Sequence, residues 1–189
     1  SWVGPRPPER TQTSASSPSH IAASRSDGSS PTTRIRAGSR RSGVVSGLTR
    51  VRQFSQDDAH CFVTPEQIGD EVERLIRLVQ RVYSDFDLPF TAKLSTMPDE
   101  HMGEALTWEH AEAQLKAALG HAGMSYTINE KDGAFYGPKI DFDVTDAIGR
   151  KWQCATIQLD YMQPENFDLK YTGADNTEHR PVVIHRAIF

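Results

Sequence analysis

Residues 50–62, RVRQFSQDDAHCF, place groups capable of chemistry at every second position. In an extended strand, side chains alternate between faces, so Arg50, Arg52, Phe54, Gln56, Asp58, His60 and Phe62 share one side. The other side takes Val51, Gln53, Ser55, Asp57, Ala59, Cys61 and Val63. Burial alone would select aliphatic residues for one face, yet this row carries cations, a ring, an amide, a carboxylate and an imidazole. Arg50 and Arg52 offer planar donor forks matched to phosphate oxygens. Phe54 offers a flat surface for a nucleobase. Gln56 both donates and accepts, Asp58 can hold an ammonium group, and His60 can ligate a metal or exchange protons. Alternate residues stand about 6–7 Å apart, so the row reads along a ligand from triphosphate to amino end. That is the polarity of a nucleotide joined to an amino acid. A solvent-facing sandwich strand, or a sheet edge with protective charges, would alternate in a similar way.

Such a row needs a sheet and a core behind it. Thr64, Pro65 and Gln67 supply a cap, a first-turn proline and a capping-box partner. Ile68, Val72, Leu75, Ile76, Val79, Val82 and Tyr83 then recur at helical spacing to about Ser84. A second helix is predicted from about Trp108 to His121, with Gly123 as its stop. FTAKLST, before it, reads as a short strand. Beyond it the period changes to 2: Ser125–Asn129, then KIDFDVTD as a half-buried antiparallel strand, a turn at AIGR, a return over Lys151–Tyr161, and a last strand in RPVVIHRAI. Strands in succession joined by short turns predict an α+β fold, an antiparallel β-sheet flanked by helices.

Composition narrows the class. Residues 1–41 hold seven arginines and two acids, Glu9 and Asp27, in a Ser-, Pro- and Gly-rich text without apolar periodicity. That is the composition of a disordered tail, an organellar transit peptide or out-of-frame coding sequence. With a total charge of −4, the remainder is strongly acidic and lacks any global attraction for a polyanion. Two cysteines, Cys61 and Cys154, without a CxxC, exclude a disulfide scaffold and read as small core residues. No apolar run approaches the ~18 residues of a membrane span. Phe135 reads as core packing and Asp57, on the face opposite Asp58, as structural. His101, His110 and His121 are assigned no role. His60 and His185 lie too far apart in sequence for spacing alone to define a metal site.

The stretches SGVVSGLTRVRQFSQDDAHCFVTPEQI, GAFYGPKIDF, QCATIQLDY and RPVVIHRAIF resemble, in order, class II aminoacyl-tRNA synthetases in the form found in threonyl-tRNA synthetases. The first resembles motif 2 of the class. The resemblance covers about Arg41 to Phe189 and implies two segments, 1–40 outside the domain and 41–189 as a partial catalytic domain. It implies a six- to seven-stranded antiparallel sheet carrying ATP with Mg2+, L-threonine and Zn2+. It also implies tRNA(Thr) as acceptor, a homodimeric intact protein and a cytoplasmic location, or a mitochondrial or plastid matrix. By the same resemblance Arg50 would contact the triphosphate with Arg52 beside it, and Phe54 would stack on adenine. Gln56 and Asp58 would bind the aminoacyl end. Tyr136, Lys139, Thr156 and Gln158 would line the pocket, and His60 and His185 would be two of three zinc ligands. Gln153 matches as well, but it is out of phase with Thr156 and Gln158 and demands a bulge or an edge position. Zinc would account for selectivity: valine is nearly isosteric with threonine but leaves the metal without a hydroxyl ligand.

Three departures set further expectations. Gly38 and Arg40 stand where the family has an Arg-x-Glu, PER stands at residues 8–10 where a ligating cysteine is expected, and Phe189 immediately precedes the place of motif 3. These predict a fragment inactive alone, with residues 1–40 out of frame. The leading expectation is a threonine–tRNA ligase. A non-catalytic paralogue that binds threonine or ATP, and a serine or proline enzyme of the same class, are the alternatives; an RNA-binding tail at 1–41 is a further one.

Overall fold

A computed structural model describes residues 54–189. Strand β1 spans Asp57–Val63. The predicted capping box is present, with the Thr64 amide donating to Gln67 Oε1 at 3.0 Å, and the Gln67 amide closes the turn on the Thr64 backbone carbonyl at 3.0 Å. After this 3₁₀ turn, α1 (Ile68–Asp85) buries Ile68, Val72, Leu75, Ile76, Val79 and Tyr83, the stripe its spacing dictates. Next come β2 (Phe90–Ser95) and α2 (Ala105–His121). Helix α2 begins three residues before Trp108. Leu106 in its first turn is 73% exposed, so the apolar period does not mark that turn. Gly123 ends the segment at a φ of 64°.

Strands β3 (Tyr126–Asn129), β4 (Lys139–Thr145) and β5 (Lys151–Asp160) follow. A short helix α3 (Met162–Asn166) and a small hairpin, β6 (Tyr171–Thr172) with β7 (Glu178–His179), were not legible in the pattern. Strand β8 (Val182–Ile188) completes the main sheet.

The six-stranded sheet runs β1-β8-β5-β4-β2-β3. Every neighbouring pair is antiparallel except β2 and β3, which are parallel. The α+β architecture is as expected, with that edge pair as the difference. Its cause is α2, a crossover long enough to return β3 in the direction of β2.

Both long helices cover one face of the sheet. Their stripes meet Ala92, Leu94, Ile140, Phe142, Ile157, Leu159 and Ile184 in one core. Each large side chain fully buried there contributes roughly 1.5–3 kcal/mol. The opposite face is polar. Strand β4, expected to be half-buried, is closed on both faces: Asp141 and Asp143 are buried on the polar side by partners described below. The predicted boundary between residues 40 and 41 lies outside the described residues. Among the described residues no helix is long and apolar enough to cross a membrane.

Candidate active site

Strand register lines the polar face with two rows. His60 pairs with His185, His185 with Gln158, Gln158 with Lys139, and Lys139 with Ser95. One step along, Asp58 pairs with Ala187, Ala187 with Thr156, Thr156 with Asp141, and Asp141 with Lys93. Residues directly opposite in a ladder point to the same face, so six of the predicted side chains, Asp58, His60, Lys139, Thr156, Gln158 and His185, share one surface. From His60 to Lys139 is three strand spacings, about 14–15 Å.

Gln153 joins them through a bulge. Phe142 pairs with Ala155 while Asp143 pairs with Gln153, which leaves Cys154 as the extra residue. The irregularity demanded by the sequence is present, and it brings Gln153 into phase with Thr156 and Gln158.

At one end of the first row the imidazoles of His60 and His185 meet edge to face, with ring centroids 4.6 Å apart. Nε2 of His185 lies 2.8 Å from Oδ2 of Asp160, a fully buried residue. The other Asp160 oxygen accepts the Met162 and Gln163 amides at 2.8 and 2.9 Å, which fixes the carboxylate to the start of α3. An acceptor at Nε2 places the N–H there and leaves the Nδ1 lone pair available.

Tyr136 stands over the same end, 5.7 Å from the His185 ring, and its hydroxyl donates to Gln158 Oε1 at 2.5 Å. Burial, with Asp160 nearby, pushes its pKa up, so it remains a donor. Phe135 is not the core residue expected: it is 57% exposed and packs edge-on against Tyr136. Gly137 lets this turn touch β5, where a Cβ would lie 1.9 Å from the Leu159 carbonyl oxygen. Beside the turn, a small apolar cleft opens between Met102, Trp108, Pro138 and Met162.

The middle of the face is organised by Asp141, a residue to which the resemblance gives no role. Asp141, 3% exposed, accepts from Gln153 Nε2 at 2.7 Å, Thr156 Oγ1 at 3.1 Å and Ser95 Oγ at 3.2 Å. It also pairs with Lys139 Nζ at 2.8 Å. Asp143, one alternation further, pairs with Lys93. The available signal was parity: Asp141 and Asp143 alternate with the apolar residues of β4 in phase with Lys139, and Asp160 is in phase with Gln158.

Residues 36–189 match the tRNA synthetase class II core domain (G, H, P, S and T). The chain belongs to this family. The synthetase core is 58% identical over 149 residues to the threonine–tRNA ligase of Thermotoga maritima, covering 79% of this chain and 23% of that protein. It is 57% identical over 147 residues to that of Myxococcus xanthus, covering 78% and 23%. It thus spans about a quarter of the length of the ligases it matches. The RNA binding domain of threonyl-tRNA synthetase from Cryptosporidium parvum superimposes with a TM-score of 0.73 at 48% identity, covering 79% of this chain and 38% of that one.

The remaining expectations can be placed on this core. Arg50 and Arg52 lie outside the described residues. Phe54 packs against Phe189, ring centroids 5.0 Å apart. Among the described residues, Phe54 and Gln56 precede β1, whose ladder with β8 ends at the Asp57–Ile188 pair. Asp57 faces the helices, as its parity requires, and holds the buried Arg186 there.

His60 and His185 face each other and His185 has the carboxylate support usual for a ligating imidazole. Among the described residues no third His, Cys, Asp or Glu joins them in a cluster able to hold an ion. Cys61 lies on the helix side of β1, and burial with Glu71 nearby pushes its thiol up to about 11, so it offers no thiolate. Burial raises the Cys154 thiol too. The two imidazoles are suited to be metal donors, but among the described residues they do not by themselves complete a metal centre.

Proposed function

We propose that this synthetase core activates threonine with ATP and serves the transfer of threonine to tRNA(Thr). The carrying observation is the register that sets His60, His185, Gln158 and Lys139 in one row across the open polar face. On this reading the ligand lies along β1. Arg50 and Arg52 meet the triphosphate, Phe54 the adenine, and Gln56 and Asp58 the aminoacyl end, with Asp58 taking the ammonium group. Tyr136 and Gln158 form a donor–acceptor pair over the amino-acid end, and Thr156 and Gln153 line the middle.

In the first step a carboxylate oxygen of threonine attacks the α-phosphorus of ATP, the new O–P bond forms, and pyrophosphate leaves. In the second a ribose hydroxyl of the tRNA attacks the acyl carbon and AMP leaves. Neither step requires a strong base. Alignment and neutralisation of charge carry them, which suits a face of fixed polar groups better than an isolated acid–base pair. His60 and His185 would hold Zn2+, which supplies a ligand position for the threonine hydroxyl, and Mg2+ would neutralise charge on the triphosphate. An apolar pocket separates isosteres poorly, whereas an unfilled polar position rejects valine strongly.

The test is threonine-dependent ATP–pyrophosphate exchange by the full-length gene product, with valine and serine as competitors. Exchange with threonine far above valine is expected. Binding of threonine or ATP without exchange would favour the sensor paralogue, and exchange with serine or proline but not threonine would overturn the amino-acid assignment.

A further inference from the structure

Asp141 lies within the stretch GAFYGPKIDF but is given no role by the resemblance, yet it contacts more of the residues that are given one than any other described side chain does. We infer that Asp141 is a positioning residue, holding Lys139, Gln153 and Thr156 on one buried carboxylate so that their remaining polar groups face the ligand. The inference rests on the functional reading above.

The geometry uses the whole acceptor capacity of the group. Oδ1 takes Gln153 and Thr156, and Oδ2 takes Lys139 and Ser95. A carboxylate has about four lone-pair sites, and all four are engaged. The donors come from β2, β4 and β5, so the carboxylate ties three strands at the level of the polar face. Each partner keeps capacity to spare. Lys139, which also reaches Asp132 at 3.5 Å, retains one N–H donor, Gln153 its carbonyl oxygen and one N–H, and Thr156 its oxygen lone pairs.

The bulge at Cys154 serves the same point. In an unbroken strand Gln153 would face the helices; the extra residue turns it over to reach Asp141 at 2.7 Å. Folding alone does not require this. A buried ion pair seldom outperforms apolar side chains of the same size. Asp143 provides the contrast: it is on the same strand and face, 5% exposed, and it is paired with Lys93 alone.

The experiment compares Asp141→Asn, Asp141→Glu and Asp143→Asn in the full-length protein, by calorimetric binding of Mg-ATP and of threonine alongside thermal unfolding. Asparagine keeps the volume but loses the charge and turns a donor toward donors. Displacing three contact groups is expected to weaken binding on the order of 10- to 100-fold. Asp143→Asn should lower Tm comparably and bind as wild type does, and Asp141→Glu should recover binding. Equal binding losses in the two asparagine variants at equal Tm change, or none in either, would overturn the inference. A second readout needs no ligand: exchange of the Gln153 side-chain amide protons by NMR, slow in wild type and fast in Asp141→Asn. Should the wild type bind neither ligand while this contrast holds, the functional reading falls and the positioning stands. Fast exchange in the wild type would remove the positioning itself.

Discussion

Replacing Asp57 by alanine should destabilise the protein by more than any other single exposed-carboxylate deletion, because of what it leaves behind. The Arg186 side chain is 1% exposed, and its Nη1 and Nη2 lie 2.6 and 3.0 Å from the two Asp57 carboxylate oxygens. Its third contact is to the Asp57 backbone carbonyl, at 3.4 Å, and Nε has no partner among the described residues. Truncation therefore strands a permanent cation in the layer between sheet and helices. Breaking a fully buried pair costs about 3–5 kcal/mol. The Asp57 side chain is 44% exposed, so water screens part of the interaction, and the expected loss is about 2–3 kcal/mol. At an m-value of ~2 kcal/mol/M that lowers the urea midpoint by about 1–1.5 M.

The assay is urea unfolding of Asp57→Ala, Arg186→Leu and the double variant. Leucine removes the stranded charge and fills the space, so the double variant should recover more than half of the loss. The reasoning fails if Asp57→Ala costs under ~0.5 kcal/mol, within the range of an ordinary surface substitution. It fails equally if adding Arg186→Leu restores nothing. The site should feel the change as well, since the same ladder that pairs Asp57 with Ile188 pairs His60 with His185 three residues on.

Three other outcomes follow from the geometry. Asp160→Asn removes the anionic acceptor from His185 and should weaken Co2+ or Zn2+ binding about 10- to 100-fold, read by cobalt absorbance; unchanged affinity would sever Asp160 from the metal site. Gly137→Ala drives a methyl into the Leu159 carbonyl and should cost roughly 1–3 kcal/mol or more in thermal unfolding, with weakened threonine binding as Tyr136 shifts. A wild-type Tm would show the turn can yield. Asp146, holding Trp152, Arg150 and the Ile148 amide, has its carboxyl pushed well below the usual carboxylate range. Its contribution is therefore present above the unfolded value, about 3.9, and lost as pH falls through the depressed folded one. Asp146→Asn should flatten the decline of Tm between about pH 5 and 2, and an identical slope would refute the assignment.

The legible parts of this fold are those where one short-range rule acts alone. Thr64-Pro65-Gln67 announces a helix start because cap, ring and amide all act within four residues, and α1 follows its apolar stripe through Tyr83. The order of strands across the sheet is not local, and nothing in Tyr126–Asn129 says that it pairs parallel to β2. The start of α2 escaped because exposed Leu106 carries no phase. In the site, alternation in one strand marks His60 and Asp58, and the failure of alternation marks Gln153. Asp141 and Asp160 were passed over for a related reason: their importance lies in partners drawn from other strands, and an acid on the polar face of a strand looks like a solvated one until those partners are placed.

That arrangement also sets where charge on the ligand can lie. The rows that face the ligand carry Asp58 and Asp141, with Asp160 beside His185, and Lys139 is already joined to Asp141; Asp143 and Lys93 form a separate neutral pair. A triphosphate laid on this part of the sheet would meet more negative charge than positive. An ammonium group would meet the reverse. The cations that could offset a triphosphate, Arg50 and Arg52, come before Asp58 in the sequence. On the proposed reading, the field therefore changes sign along the ligand, with phosphates upstream and the amino group toward Asp58. The acidity that argued against a polyanion partner from composition alone becomes, at the scale of this one face, the feature that orients an amino acid against a nucleotide.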